Sequence, residues 1–281
     1  MLFHTISEYR NWRNALPATT KVGFVPTMGA LHAGHATLIA AASAENDITV
    51  VSIFVNPTQF GPKEDLTKYP RTLAADVELV TEQGGNVIFA PSPQEIYPET
   101  PAQLIFAIRE LDKKLCGASR PGHFNGVVQV VSLLFNIIQP HTAYFGQKDF
   151  QQLLIIKQLV KEQHFPVKII GCPTQREMDG LAMSSRNVFL NEAERKQAVV
   201  LSKILFHLQK NRQDFETVEE MKNFAYQELT LCPLARLDYF EILEEDNLME
   251  INDLAQSRCP HAFMAVFFGA TRLIDNVRVS S

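Results

Sequence analysis

The sequence predicts an α/β fold: a Rossmann-like doubly wound parallel sheet with a smaller α+β C-terminal domain. Three observations predict it. In the first half of the 281-residue chain, short apolar or β-branched runs alternate with segments of helical length, as in a parallel sheet covered on both faces. The run 48–55 (ITVVSIFV) is almost continuously apolar, as a strand buried on both faces must be. After Pro173 the alternation stops, and two polar helices precede three runs with the texture of antiparallel strands.

The elements follow in order. Residues 21–26 (KVGFVP) form a short apolar run ending in Pro, a buried-strand pattern. The Ala-rich stretch 35–45 is a helix, and 48–55 is the next strand. A helix over 73–83 is closed by Gly84 and Gly85, and 87–90 is a short strand. Helical periodicity over 126–138 ends before Pro140. Then come a strand at 142–146 (TAYFG), a helix at 149–162 and a strand at 167–172 (VKIIGC). Beyond these, 191–211 and 215–231 are helices rich in Glu, Lys and Gln. Runs 237–243, 262–269 and 271–279 are antiparallel strands. The boundary falls near Thr174, giving a domain over 1–173 and a lid-like module over 174–281.

Composition narrows the function. With 46% hydrophobic residues the chain is not intrinsically disordered. Its net charge of -5, from 26 basic and 31 acidic residues, argues against a nucleic-acid partner. Cys116, Cys172, Cys232 and Cys259 form no CxxC pair. Neither a zinc site nor a disulfide framework is indicated, and free thiols suit a reducing, cytoplasmic setting. The first ten residues mix His4, Glu8 and Arg10 among apolar ones, unlike a signal peptide. The most apolar stretch, 127–138, is interrupted by Gln129, Ser132 and Asn136. It is shorter than the ~20 residues a membrane span needs.

The chemistry-bearing residues follow strands. PTMGALHAGH (26–35) leaves the first strand and opens a helix. Gly29 and Gly34 are spaced as in a P-loop, but no Lys-Ser/Thr follows Gly34, so that reading fails. What remains is H-x-G-H. Gly34 leaves space for close backbone approach, the helix N-terminus attracts anions, and His32 and His35 can donate hydrogen bonds to phosphate oxygens. FVNPTQF (54–60) carries Asn56 and Gln59, two-sided amides suited to a small hydroxy- or carboxy-substrate. GQKDFQQ (146–152) sets Lys148 at a helix N-terminus, where an anionic ligand would relieve an unfavourable cation. Asp149 caps that helix or accepts ribose hydroxyls, and Gln152 lies one turn on. MSSRN (183–187) adds Ser184, Ser185 and Arg186, a set suited to polyphosphate. The glycine-rich loop 117–126 holds Arg120 and His123 without specifying their chemistry. No GxSxG elbow and no motif cysteine is present, so no covalent enzyme intermediate is expected. The pattern points to a nucleoside triphosphate attacked by a small second substrate, with no metal held by the protein itself.

At these motifs the sequence closely resembles the pantoate–β-alanine ligase family of the HxGH nucleotidyltransferase superfamily. The resemblance runs through PTMGALHAGH, FVNPTQF, DLTKYPRT (65–72), RPGHF, GQKDFQQ, MSSRN and RLIDN (272–276). It implies two steps: ATP and pantoate give pantoyl adenylate and pyrophosphate, then β-alanine displaces AMP. It implies catalytic roles for His35, His32, Lys148 and Arg186. ATP would lie along Met28, Gly29, Ala30, Leu31, His32, Ala33, Gly34 and His35. It would continue along Gly146, Gln147, Lys148 and Asp149, then Gln175, Met183, Ser184, Ser185 and Arg186. Gln59 and Gln152 would hold pantoate, with Asn56 beside them, and Gln59 would also face β-alanine. Mg2+ would ride on the phosphates, and the enzyme would be a homodimer. Gln147, Asn125 and His141 depart from the residues frequent in the family, each changing a charge expected near the crevice. Another adenylyl- or cytidylyltransferase and a catalytically silent nucleotide-binding regulator are the alternatives. The intact His32, His35, Lys148 and Arg186 speak against the latter.

Overall fold

The computed structural model describes residues 1–61, 66–99, 108 and 110–279. Asp65, the first residue of DLTKYPRT, lies outside the described residues. The chain runs β1 (Leu2–Phe3), α1 (Ile6–Asn14), β2 (Val22–Thr27), α2 (Ala33–Glu45), β3 (Ile48–Ile53), α3 (Leu73–Glu82), β4 (Val87–Phe89), α4 (Pro93–Ile96), α5 (Leu115–Ser119), α6 (His123–Ile138), β5 (Thr142–Gly146), α7 (Phe150–Glu162) and β6 (Lys168–Cys172). It continues through α8 (Glu192–Ala198), α9 (Val200–Lys210), α10 (Val218–Thr230), β7 (Ala235–Glu244), β8 (Pro260–Phe268) and β9 (Thr271–Arg278).

Six strands form one parallel sheet in the order β1-β4-β3-β2-β5-β6. From β2 the chain winds outward through β3 and β4. It then returns to the other side of β2 with β5, where Gly23 faces Thr142 and Phe24 faces Ala143. That reversal opens a crevice at the carboxyl ends of β2 and β5, where doubly wound sheets bind ligands. Apolar residues on both faces account for the arrangement. Val22, Phe24 and Val50 join a core with α6 and α7, while Val25 and Val51 pack with Leu38, Ile39 and Val80 of α2 and α3. Gly126 lets α6 lie against the turn after β3, since a Cβ there would stand 2.3 Å from the Thr58 carbonyl oxygen.

The second sheet is antiparallel, β7-β8-β9. Its own core includes Leu201, Leu205 and Met221 of the overlying helices with Phe240, Met264 and Leu273. Leu243, Leu248 and Phe263 instead join the core of the parallel sheet, so apolar burial couples the two sheets.

The predicted fold class stands, with local differences. β1 and α1 were not anticipated, because a two-residue strand shows no period and α1 is mostly polar. The single helix expected over 191–211 is broken between Ala198 and Val200, although Val199 keeps right-handed helical angles. The helix expected from residue 149 begins at Phe150, after a 3-10 turn over Gln147–Asp149.

Candidate active site

The residues after β2 build an unusual helix entry. Gly29 (φ +79°) and Ala30 (φ +50°) make a left-handed turn. The buried carboxylate of Asp76 holds it, accepting from Ala30 N at 3.1 Å, Leu31 N at 2.8 Å and the Thr72 hydroxyl at 3.1 Å. The turn delivers His32 as the N-cap of α2. Its Nδ1 accepts from Gly34 N at 3.1 Å, and His35 Nδ1 accepts from His32 N at 3.3 Å. Two imidazoles thus form a reciprocal capping box, with ring centroids 4.2 Å apart. Burial pushes His35 down to about 3, helped by neighbouring His32 and Lys148 and opposed by Asp149. Burial and then Lys148 also lower His32, against Asp149 and Glu177. Both rings are therefore neutral near pH 7. With Nδ1 accepting from backbone, each carries its proton on Nε2, as a hydrogen-bond donor.

This geometry bears on two expectations. Four N–H groups at the mouth of α2 are bonded within the protein: Gly34 N and His32 N bond the imidazoles, and Ala30 N and Leu31 N bond Asp76. The capping bonds use Nδ1 of each imidazole and not Nε2. Gly34 also makes room for the His32 ring: a Cβ there would lie 2.8 Å from His32 Cε1.

After β3, Asn56 is buried and bonded throughout. Its amide nitrogen donates to Gln59 Oε1 at 3.2 Å and to the Gly126 carbonyl at 3.1 Å. Its oxygen accepts from the Tyr97 hydroxyl at 2.9 Å and the Thr58 hydroxyl at 3.0 Å. Asn56 is thus tied to the scaffold and orients Gln59, whose amide nitrogen meets Met28 Sδ at 2.9 Å. After β5, Asp149 is the N-cap residue of α7, but its side chain makes no capping bond. After β6, Arg176 and Ala182 pair as an antiparallel bridge. Met183 N donates to the Gln175 carbonyl, and Ser184 caps the 3-10 turn that carries Ser185 and Arg186. Ser185 Oγ stands 3.3 Å from the Tyr69 hydroxyl, and the Arg186 guanidinium lies 6.0 Å from the Tyr69 ring.

Two joined cavities, of about 240 and 820 Å³, occupy the crevice and the gap between the sheets. The smaller is lined by Met28, His32, Gly34, His35, Asn56, Gln59, Gly146, Gln175, Met183 and Ser185, with an apolar wall of Val130, Val131 and Leu134. Lys148, Asp149, Gln152, Ser184 and Arg186 line both, as do Arg120 and His123. Among the described residues, Gly29, Ala30, Leu31, Ala33 and Gln147 line neither cavity. The first three shape the turn, while the Gln147 carbonyl accepts from Asn276. The departures at Gln147, Asn125 and His141 also lie off the cavity walls. His141 accepts from Val22 N at the opposite end of the sheet, so the expectation of an altered charge near the crevice is corrected for His141. Sequence reasoning missed Asp76 and the apolar wall, and it quoted Tyr69 within DLTKYPRT without assigning it a role. It quoted Asn276 within RLIDN without assigning it a role.

Among the described residues no group of three or more His, Cys, Asp or Glu could hold a metal ion. Likewise, no helix among them is long and apolar enough to cross a membrane.

Comparisons with known proteins cover the chain almost entirely. The family model described as pantoate-beta-alanine ligase matches residues 1–278. A pantothenate synthetase of Bacteroides fragilis is 48% identical over 278 residues, 99% of this chain and 98% of that protein. The crystal structure of the Thermus thermophilus enzyme superposes with a TM-score of 0.91 at 43% identity, covering 100% of this chain and 99% of that one. A pantoate-beta-alanine ligase from Francisella tularensis, complexed with beta-gamma ATP and beta-alanine, is 39% identical. Its TM-score is 0.83, with 100% of this chain and 98% of that one covered.

Proposed function

This chain belongs to the pantoate–β-alanine ligase family, and from that premise we propose how its own residues run an ATP-dependent condensation of pantoate with β-alanine. A pantoate carboxylate oxygen attacks the α-phosphorus of ATP, and pyrophosphate leaves. The β-alanine amine then attacks the carbonyl carbon of the pantoyl adenylate, and AMP leaves.

The observation that carries this reading is the pair of neutral imidazoles, their Nδ1 atoms occupied by backbone amides, on the wall of the crevice. Their Nε2–H groups are fixed before the substrate arrives. Preorganised donors of this kind stabilise the negative charge that builds on the α-phosphate oxygens in the transition state. His35 acts as a neutral donor, since protonating its Nδ1 would break the bond from the His32 amide. Lys148, in the turn after β5, and Arg186, in the 3-10 turn that Ser184 caps, both line the two cavities and neutralise the departing pyrophosphate. Asp149, without a capping bond of its own, accepts ribose hydroxyls beside Gly146. Gln59 and Gln152 take pantoate, and Gln59 also faces β-alanine. Asn56 positions Gln59.

Mg2+ fits the phosphates better than the protein, in line with its preference for water and phosphate oxygens. The resemblance also supports a homodimer and a cytoplasmic location. Light scattering and cell fractionation test these two points.

The decisive experiment is ATP–pyrophosphate exchange with and without pantoate. The expected result is exchange that requires pantoate, slowed on the order of 100-fold or more in His35→Ala. Exchange without pantoate, or driven by another acid, would assign the chain to a different nucleotidyltransferase reaction.

A further inference from the structure

Lys148 owes its position to a turn that the second sheet grips. Asn276 of β9 donates its side-chain amide to the carbonyls of Gln147 at 3.0 Å and Lys148 at 2.8 Å. Carbonyls only accept, so the amide nitrogen must face the turn, and Asn276 Oδ1 must face away from it. Facing that oxygen, at 2.8 Å, is Nε2 of His261 on β8. His261 is 4% exposed. Its ring lies 4.4 Å from Phe150, the first residue of α7, and stacks at 4.6 Å on Phe263. Its Nδ1 stands 3.3 Å from Glu245 Oε2, and Arg278 engages the same carboxylate.

We propose that His261 is a positioning residue for the phosphate-binding turn, acting through Asn276. An Asn side chain can rotate by half a turn and exchange its oxygen and nitrogen. The two carbonyls demand one orientation, and an Nε2–H donor at His261 demands the same one. The two demands reinforce each other, and together they require a proton on His261 Nε2, whatever Glu245 asks of Nδ1. Remove the donor, and Asn276 Oδ1 is left buried without it, at a cost that loosens the grip on Gln147 and Lys148. Because Gln147 and Lys148 belong to the parallel sheet's crevice while Asn276 and His261 belong to the antiparallel sheet, this chain of contacts couples the second sheet to the nucleotide. Its effect belongs to ATP rather than pantoate, since the carbonyls gripped are those of Gln147 and Lys148, while Gln59 follows β3 and Gln152 is held by α7. That assignment rests on the function proposed above.

The test compares His261→Phe, His261→Gln and His261→Asn with the wild type. Phe keeps the ring stack and removes the donor. Gln reaches as far as Nε2 and restores a donor, while Asn is too short. The expected result is an ATP KM in pantoate-dependent exchange raised about tenfold in His261→Phe and His261→Asn. The pantoate KM should stay within about twofold of wild type, and His261→Gln should stay near wild type in both. ATP binding by calorimetry, which needs no pantoate, should follow the same order. Equal increases in both KM values, an unchanged ATP KM in His261→Phe, or a Gln variant no better than Asn overturns the proposal. If His261→Phe does not fold, the Gln and Asn pair alone decides, and equal ATP affinities sink it. Wild-type protein that binds ATP but shows no pantoate-dependent exchange counts against the proposed reaction instead, and calorimetry then still decides the role of His261.

Discussion

At His35 the backbone amide of His32 meets Nδ1 at 3.3 Å, and burial pushes the imidazole down to about 3. An unfolded chain takes up that proton near pH 6.5. As pH falls below about 6.5 the unfolded state is protonated first, so the native state loses stability down to about pH 3. The contribution is fully present above pH ~6.5 and lost on acidification. His35→Asn can keep an oxygen acceptor near the His32 amide but cannot titrate. Its melting temperature should fall less steeply than the wild type's between pH 7 and about 4. Parallel curves in a thermal-melt series across that range would mean that His35 is not held neutral by burial. The sequence showed the two histidines and their spacing. It could not show that the His32 ring caps Gly34 N while the His35 ring caps His32 N, because that depends on the left-handed turn at Gly29 and Ala30.

Among the elements, the entry to α2 depends on a residue 46 positions away from Ala30. Asp76 lies in the first turn of α3, where an acidic residue is an ordinary helix-end feature, so nothing in the sequence separated it from a cap. In the fold its carboxylate accepts from two amides of the MGAL turn, and a Cβ on Gly29 would lie 3.0 Å from Asp76 Oδ2. In Asp76→Asn the amide nitrogen replaces one acceptor and confronts a buried N–H. Denaturant titration should show a loss of about 1–3 kcal/mol, and calorimetry should show weaker ATP binding because α2 is no longer aimed. Wild-type values in both would dismiss the clamp. The sheet and most strands were legible from apolar period and strand-end motifs, since long-range burial writes itself into local pattern. Contacts such as Asp76 with Leu31 or Asn276 with Lys148 leave no such period. They join single polar residues across the fold, and only coordinates reveal them.

For the molecule as a whole, the segment carrying MSSRN is tied to the second sheet. Arg176 binds Asp275 of β9 through two bonds, at 2.6 and 2.9 Å, with Asp275 buried at 1% side-chain exposure. We take 173/174 as the boundary between domains on that basis, since the strand before it ends at Cys172 and the segment after it is anchored to β9. On that proposal Arg186 would move with the second sheet, exchanging its contact with Tyr69 for the phosphates, while His32, His35 and Lys148 stand at carboxyl ends of the first. The cavity of about 820 Å³ between the sheets leaves room for them to approach. A ligand shifts such an equilibrium only through contacts that one state has and the other lacks. Phosphates held from both sides supply that difference, with Arg186, Ser184 and Ser185 as the added contacts. Closure would also keep water from the adenylate until β-alanine attacks. ATP should thus compact the protein, and Arg186→Ala should both slow adenylate formation and weaken the compaction. Small-angle scattering with and without a non-hydrolysable ATP analogue, on wild type and variant, measures the coupling. Equal compaction in the two proteins would show that Arg186 is not the closing contact, and a wild type that does not compact would remove closure from the mechanism.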